Sequence, residues 1–244
     1  MIVLCVGMPR AGSGWHYNLV HDLMLTAGAD DARQIRKHYH LEGILTEVNC
    51  NIGVLSLRRL AMVLVPALLG HTFVIKAHSA PTRWSRLLMR LGMLRVTYIY
   101  RDPRDAMLSA YDYGQRALAK GRPNAFSHLT DFEKTLDFML DYVRIWEAWM
   151  AERGVLYMRY EDLLTRYDAE VARLLDFLGL AAEDPAVQDV VERYRPEKAE
   201  AGQQGLHFFK GKIGRFREVY DGAQQEILAE RFAPYLERMG YPLR

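Results

Sequence analysis

Short apolar runs alternate along this chain with longer stretches in which apolar residues recur every third or fourth position. Residues 2–6 (I-V-L-C-V) are wholly apolar and stop at Gly7, which predicts a strand buried on both faces. Trp15, Leu19, Leu23 and Ala27 share one helical face and predict a helix over 13–27. Further strands are predicted at 72–76, 95–100 (R-V-T-Y-I-Y) and 155–159. Helices are predicted at 81–91, from Asp102-Pro103 onward with proline near the first helical position, and over 131–153, 167–178, 185–195 and 222–238. Residues 28–70 are less regular, with a basic patch (Arg33, Arg36, Lys37), polar loop chemistry from Glu47 to Asn51, and short helices. Residues 202–217 carry glycine and lysine without a helical period and read as a loop. Short strands separated by helices are the pattern of βαβ units, so an α/β fold on a parallel sheet is expected. With no repeat and no linker in sight, residues 1–244 are expected to form one domain.

Composition narrows the function without naming it. Half of the 244 residues are apolar and a quarter charged, an ordinary globular balance. Basic residues number 32 and acidic ones 30, a net charge of +2, which does not suggest a nucleic-acid partner. The longest apolar run, 60–70, contains Pro66 and is well short of the ~20 residues of a membrane span, so none is expected. Residues 1–7 lack a basic n-region and Pro9-Arg10 end the apolar stretch, so no signal peptide is expected. Cys5 and Cys50 have no metal-ligand spacing. Two reduced thiols and a cytoplasmic location are the expectation, with no metal site.

Candidate chemistry begins at the first strand–helix junction, G-M-P-R-A-G-S-G-W from Gly7 to Trp15. Gly7 and Gly12 have the spacing of the glycines in G-x-x-x-x-G-K-[ST]. Glycines let backbone approach an anion, and a helix N-terminus offers unpaired N–H groups and a positive dipole end. The next positions are Ser13 and Gly14, so the lysine that reaches the β/γ-phosphates of a nucleoside triphosphate is absent, and a cation stands earlier, at Arg10. This argues against ordinary ATP or GTP hydrolysis. A second candidate follows the third strand: Tyr100-Arg101-Asp102-Pro103-Arg104-Asp105, with Ser109 two helical turns on. Parallel strands carry ligands at their carboxyl ends, so Arg101 belongs on the same sheet edge as the glycine loop. There its guanidinium can fork onto a phosphate and Ser109 can add a donor. Two anion sites on one edge imply a ligand with phosphates at two places.

Together these residues resemble the cytosolic-type sulfotransferases that use 3′-phosphoadenosine 5′-phosphosulfate (PAPS). Pro9-Arg10-Ala11-Gly12-Ser13-Gly14-Trp15 resembles their P-K-S-G-T-T-W loop for the 5′-phosphosulfate. Arg101 with Ser109 resembles their 3′-phosphate pair. The segment from Phe73 through Lys76 and His78 to Pro81 resembles their I-K-T-H-L-P element. Tyr160-Glu161-Asp162-Leu163 resembles Y-E-D-L, whose tyrosine contacts adenine, and Phe209-Lys210-Gly211-Lys212-Ile213-Gly214 resembles the R-K-G-x-x-G loop that closes over the 3′-phosphate. The elements fall in family order over most of residues 1–220.

The resemblance implies a three-layer, P-loop-NTPase-like sulfotransferase fold. It implies transfer of a sulfuryl group from PAPS to a hydroxyl or amine of a small-molecule acceptor, with release of 3′,5′-adenosine bisphosphate (PAP). His78 is the implied general base, and Lys76 and Arg10 the implied catalytic cations. The implied cofactor contacts are Arg10, Ala11, Gly12, Ser13, Gly14, Trp15, Arg101, Ser109, Tyr160, Phe209, Lys210 and Gly211. Lys76 and His78 are two residues apart on an extended chain and can face one pocket. Trp15 and Tyr160 can sandwich adenine, although Trp15 also fits core packing. His16 is a candidate for the acceptor pocket, Arg104 reads as a helix-end surface charge, and Arg83, Arg86, Arg90 and Arg95 read as a solvated face. Residues 28–70, 112–130 and 195–206 are expected to shape the acceptor site through loops.

Three departures qualify the resemblance. Arg10 stands for the family lysine and is a poor general acid. Phe209 stands for an arginine, and Gly14 for a hydroxyl residue. The family's C-terminal dimer motif has no counterpart. A P-loop nucleotide or small-molecule kinase, or a nucleotide-binding module without catalysis, are the alternative readings.

Overall fold

The computed structural model describes residues 1–198 and 212–243. Its centre is a parallel sheet of β1 (Ile2–Gly7), β2 (Phe73–Ala77), β3 (Leu94–Tyr100) and β4 (Val155–Arg159) in the order β2-β1-β3-β4. In register, Cys5 faces Lys76 and Gly7 faces Ile99. The helices are α1 (Ser13–Thr26), α2 (Ala32–His38), α3 (Leu57–Leu68), α4 (Arg83–Arg90), α5 (Pro103–Ala119), α6 (Phe132–Met150), α7 (Tyr160–Thr165), α8 (Tyr167–Leu178), α9 (Pro185–Arg193), α10 (Phe216–Val219) and α11 (Gly222–Met239).

Side-chain alternation on the strands divides the core in two. Ile2, Leu4 and Val6 of β1 join Phe73, Ile75, Val96 and Tyr98 against residues of α3, α5, α6 and α11. Val3 and Cys5 join Val74, Ile99 and Met158 against α1, α7, α8 and α9. Helices therefore cover both faces, which is why the strands read as continuous apolar runs. From β1 the chain moves to β2 on one side and to β3 on the other, so the loops leaving β1 and β3 diverge. That divergence opens a crevice at the carboxyl ends of the two strands.

The predicted strands and long helices are present, and the differences lie elsewhere. Residues 112–119, expected as loop, continue α5. Residues 216–217, placed in a loop, begin the short helix α10. Asn51 pairs with Lys76 as a bridge beside β2, a non-local contact that the polar turn chemistry of 47–51 does not announce. Arg104 is not a surface charge: it is 1 % exposed, forks onto Asp102 at 2.8 and 3.0 Å, and donates to the carbonyls of Pro242 and Leu243, each at 2.8 Å. Its burial follows from the C-terminal segment folding back over the start of α5.

Gly114 lets α5 pass close to the turn at Asn124–Ser127, because a Cβ there would stand 2.2 Å from the Phe126 carbonyl oxygen. Gly114→Ala is therefore expected to destabilise the protein. The helix-propensity gain of about 1 kcal/mol is smaller than an overpacking cost of about 1–3 kcal/mol with backbone, which cannot rotate away. A thermal midpoint lowered by a few degrees is the expected reading, and a raised midpoint would contradict this packing.

Candidate active site

A cavity of about 710 Å³ occupies the crevice, within the ~300–1,000 Å³ range of small-molecule sites. One wall is the loop from β1 into α1. Gly12 sits at φ 76° and a Cβ there would meet the Tyr160 ring at 2.7 Å, so only glycine fits this corner. The N-cap of α1 is Gly12, which has no side chain to offer the first turn, and Ser13, Gly14 and Trp15 of that turn line the cavity. Arg10 adopts φ 63°, a conformation unusual for a long side chain, and this turns its guanidinium across the crevice. There it lies 4.4 Å from the centroid of Tyr113 and its Nε donates to the Ser109 hydroxyl at 3.3 Å. Burial lowers the Arg10 pKa, yet an arginine starts so high that it remains a cation.

The other cations reach the cavity by alternation. Lys76 follows Val74, and Arg101 follows Ile99, on the sheet face that α1 covers. Arg101 is buried, lies 4.6 Å from the Tyr160 ring centroid, and donates through Nη2 to the Lys212 carbonyl at 3.0 Å. Its Nε has no partner among the described residues. Asp105, 3.5 Å from Arg101 Nη2, accepts from the backbone N–H groups of Gly214 at 2.6 Å and Phe216 at 3.0 Å, which pins the segment from Lys212 over the crevice. Glu161 holds the same corner from behind, accepting from the Asp102 N–H at 3.1 Å and the Tyr241 hydroxyl at 2.6 Å.

Lys76 and His78 both line the cavity. Burial pulls the Lys76 pKa down to about 8, against the opposing pull of Glu47. His78 Nδ1 is 2.6 Å from the Gly7 carbonyl oxygen. A carbonyl only accepts, so Nδ1 carries the proton and Nε2 keeps the lone pair. Burial first, and then the Lys76 charge, push the His78 pKa down to about 3, so the ring is neutral at physiological pH.

The opposite wall is aromatic. Tyr113, Phe126 and Phe138 form a run of edge-on contacts at 5.7 and 5.8 Å, extended to Tyr142 at 4.9 Å. Phe138, Tyr142 and Ile145 come from α6, whose sequence pattern marks only an amphipathic helix. Their spacing on one face was the available signal. Glu47, Asn49, Asn51 and Val54 complete the rim.

Of the expected site residues, Arg10, Gly12, Ser13, Gly14, Trp15, Lys76, His78, Arg101, Ser109 and Tyr160 line this cavity. Ala11 is buried in the loop beneath it. Phe209, Lys210 and Gly211 lie outside the described residues. The Trp15–Tyr160 sandwich is corrected: the rings are 6.2 Å apart and nearly perpendicular, and Trp15 is buried and stacked on Tyr167 at 6.1 Å, so no base fits between them. His16 is also corrected. It is fully buried beneath the cavity lining, its ring nitrogens without partners among the described residues. Tyr39, in the 28–70 stretch expected to shape the acceptor site, packs beside His71 and is not in the cavity lining.

A helix end beside buried cations at a parallel-sheet crevice places the chain among α/β proteins with a positively charged cleft at the carboxyl ends of the strands. The profile of the sulfotransferase domain matches residues 2–204, and the chain belongs to that family. Mouse sulfotransferase 1A1 is 23 % identical over 172 residues, 62 % of this chain and 58 % of its own length. Zebrafish cytosolic sulfotransferase 1 is 26 % identical over 163 residues, 59 % of this chain and 54 % of its own. The matches thus span a little over half of these relatives. A mouse sulfotransferase crystallised with PAP superposes at a TM-score of 0.60 with 14 % identity, covering 97 % of this chain and 84 % of the other. Retinol dehydratase with androsterone and PAP gives 0.58 with 18 % identity, covering 96 % and 80 %. These likenesses establish the fold.

The depressed Lys76 pKa has a stability consequence with a definite sign. Below pH ~8 the native state must bury an ammonium, and that penalty is relieved as pH rises from about 8 towards the unfolded value of 10.5. Across that window the wild type is expected to gain up to roughly 3 kcal/mol relative to Lys76→Met, which keeps the stem without the charge. Denaturant titrations at the two ends of the window check it, and parallel pH slopes would contradict it.

Proposed function

We propose that this chain, as one sulfotransferase domain over residues 1–244, transfers a sulfuryl group from PAPS to a hydroxyl or amine of a small-molecule acceptor. The single observation that carries the reading is the pair of anion corners on one crevice, the uncapped α1 loop with Arg10 and the buried Arg101 with its unpartnered Nε. These residues fit a bisphosphorylated nucleotide: the α1 N–H groups with Ser13 and Lys76 would hold the 5′ end, and Arg101 and Ser109 the 3′-phosphate. Tyr160 and Arg101 stack there, which suits an adenine neighbour. When bound, PAPS supplies an activated sulfuryl group.

The chain's own residues then have separate tasks. His78, fixed by Gly7 with Nε2 free, accepts the acceptor's proton. Lys76 and Arg10 stabilise charge that develops on the leaving phosphate oxygen. Arg10 does so as a permanent cation, whereas Lys76, with a pKa near 8, also has a proton to give. The aromatic run from Tyr113 to Tyr142 favours an acceptor with a flat or apolar body. Two free buried thiols accord with a cytoplasmic setting.

Transfer of label from radioactive PAPS in an acceptor screen tests the reading. His78→Ala is expected to bind PAP as the wild type does and to lose roughly 10²–10⁴-fold in transfer rate, the usual contribution of a general base. Undiminished transfer by that variant removes His78 from the role. The free-enzyme rate is also expected to lack an ionisation near pH 6.5 from this ring, because its pKa lies near 3.

A further inference from the structure

The outer side of α3 and α4 is unlike the rest of the surface. In α3, Leu60, Val63 and Pro66 point inward. The outward positions of a solvated helix are normally polar, but here Leu57 is 52 % exposed, Val65 50 % and Leu68 69 %, with Ala61 exposed between them. Their spacing of four, four and three residues places them in one stripe. α4 packs beside α3, and its outward positions alternate Arg83, Leu87, Arg90 and, just past its end, Leu91.

Charge sets this region apart as well. No aspartate or glutamate occurs from Val48 through Arg101, in a chain whose acids and bases nearly balance. The cations on the outer face are consequently uncompensated. Arg58 and Arg90 make no ion pair among the described residues, and Arg83 lies over its neighbour Trp84 at 4.5 Å. Arg86, turned partly inward, is the one that finds an acid, Glu152 at 2.6 Å. Three residues before Leu57, Val54 is 60 % exposed and lines the cavity, so the stripe runs on to the cavity rim.

We propose that the outer face of α3 and α4 docks this protein on an anionic lipid surface, with the cavity rim beside the contact. Leucines exposed in a stripe enter the boundary between headgroups and acyl chains, and arginines on long stems stay at the phosphates. Charge complementarity selects this occupant. A second copy of the same face would set arginine against arginine, and a nucleic acid would leave the leucines in water. The inference does not depend on which molecule accepts the sulfuryl group, and its test needs no turnover.

The test is co-sedimentation of the full chain with vesicles of phosphatidylcholine alone or with about 30 mol % phosphatidylserine. Retention by the anionic vesicles and not the neutral ones is expected. Val65→Glu with Leu68→Glu, and separately Arg83→Glu with Arg90→Glu, should each weaken retention by about tenfold or more, while Ile227→Glu on α11 should not. Unchanged thermal midpoints identify folded variants, and Val65→Gln with Leu68→Gln serves if the glutamates disturb the fold. No preference for anionic vesicles would overturn the proposal. So would retention that survives loss of the apolar stripe, or a dimer of this chain that the same substitutions dissolve.

Discussion

Positive charge gathered where it is poorly neutralised is the constraint on which this structure turns. Arg10, Lys76, Arg101 and the uncapped start of α1 converge on one crevice. Asp105 lies 3.5 Å from Arg101, but its oxygens are already engaged by two backbone N–H groups, and among the described residues Glu47 is the carboxylate of the cavity lining. Such an arrangement costs stability, since burial and like charges both disfavour the cations, as the lowered pKa values of Lys76 and Arg10 register. The sheet imposes it. β1, β2 and β3 end at the same edge, and their register leaves Lys76 and Arg101 on the face that α1 begins from. An anion placed in the crevice would relieve that cost.

The elements around this crevice have divided labour. Asp105 and Glu161 are not in the cavity lining themselves, yet they hold the segments around it, Asp105 beside Arg101 and on the N–H groups of Gly214 and Phe216, Glu161 on Asp102 and Tyr241. Gly7 contributes a carbonyl that settles which nitrogen of His78 is protonated. The aromatic wall comes from the other half of the core, on α5, α6 and the turn that Gly114 allows to approach. A charged floor and an apolar wall are thus supplied by opposite faces of one sheet.

Local chemistry is legible in the sequence. The apolar runs mark the four strands, and glycine, proline and arginine at strand ends mark the two loop corners that meet at the cavity, because those features depend on neighbours in sequence. What escaped depended on distant partners. Arg104 looks exposed until Pro242 and Leu243 return to cover it. Trp15 looks like a ligand-stacking ring until Tyr167, far along the chain, takes its face. His16 has the helical phase of a buried residue, and its polar ring concealed that. Phe138 and Tyr142 are indistinguishable in sequence from ordinary core positions of α6, and the fold alone decides that they front a cavity.

The most direct test is calorimetric titration of the wild-type chain with PAP, adenosine 5′-monophosphate, adenosine 3′-monophosphate and ATP with Mg²⁺. If two separate corners grip one nucleotide, PAP binds at least about a hundredfold more tightly than either monophosphate, about 2.7 kcal/mol, and more tightly than ATP with Mg²⁺. PAP binding no better than a monophosphate, or ATP with Mg²⁺ preferred, would contradict the account.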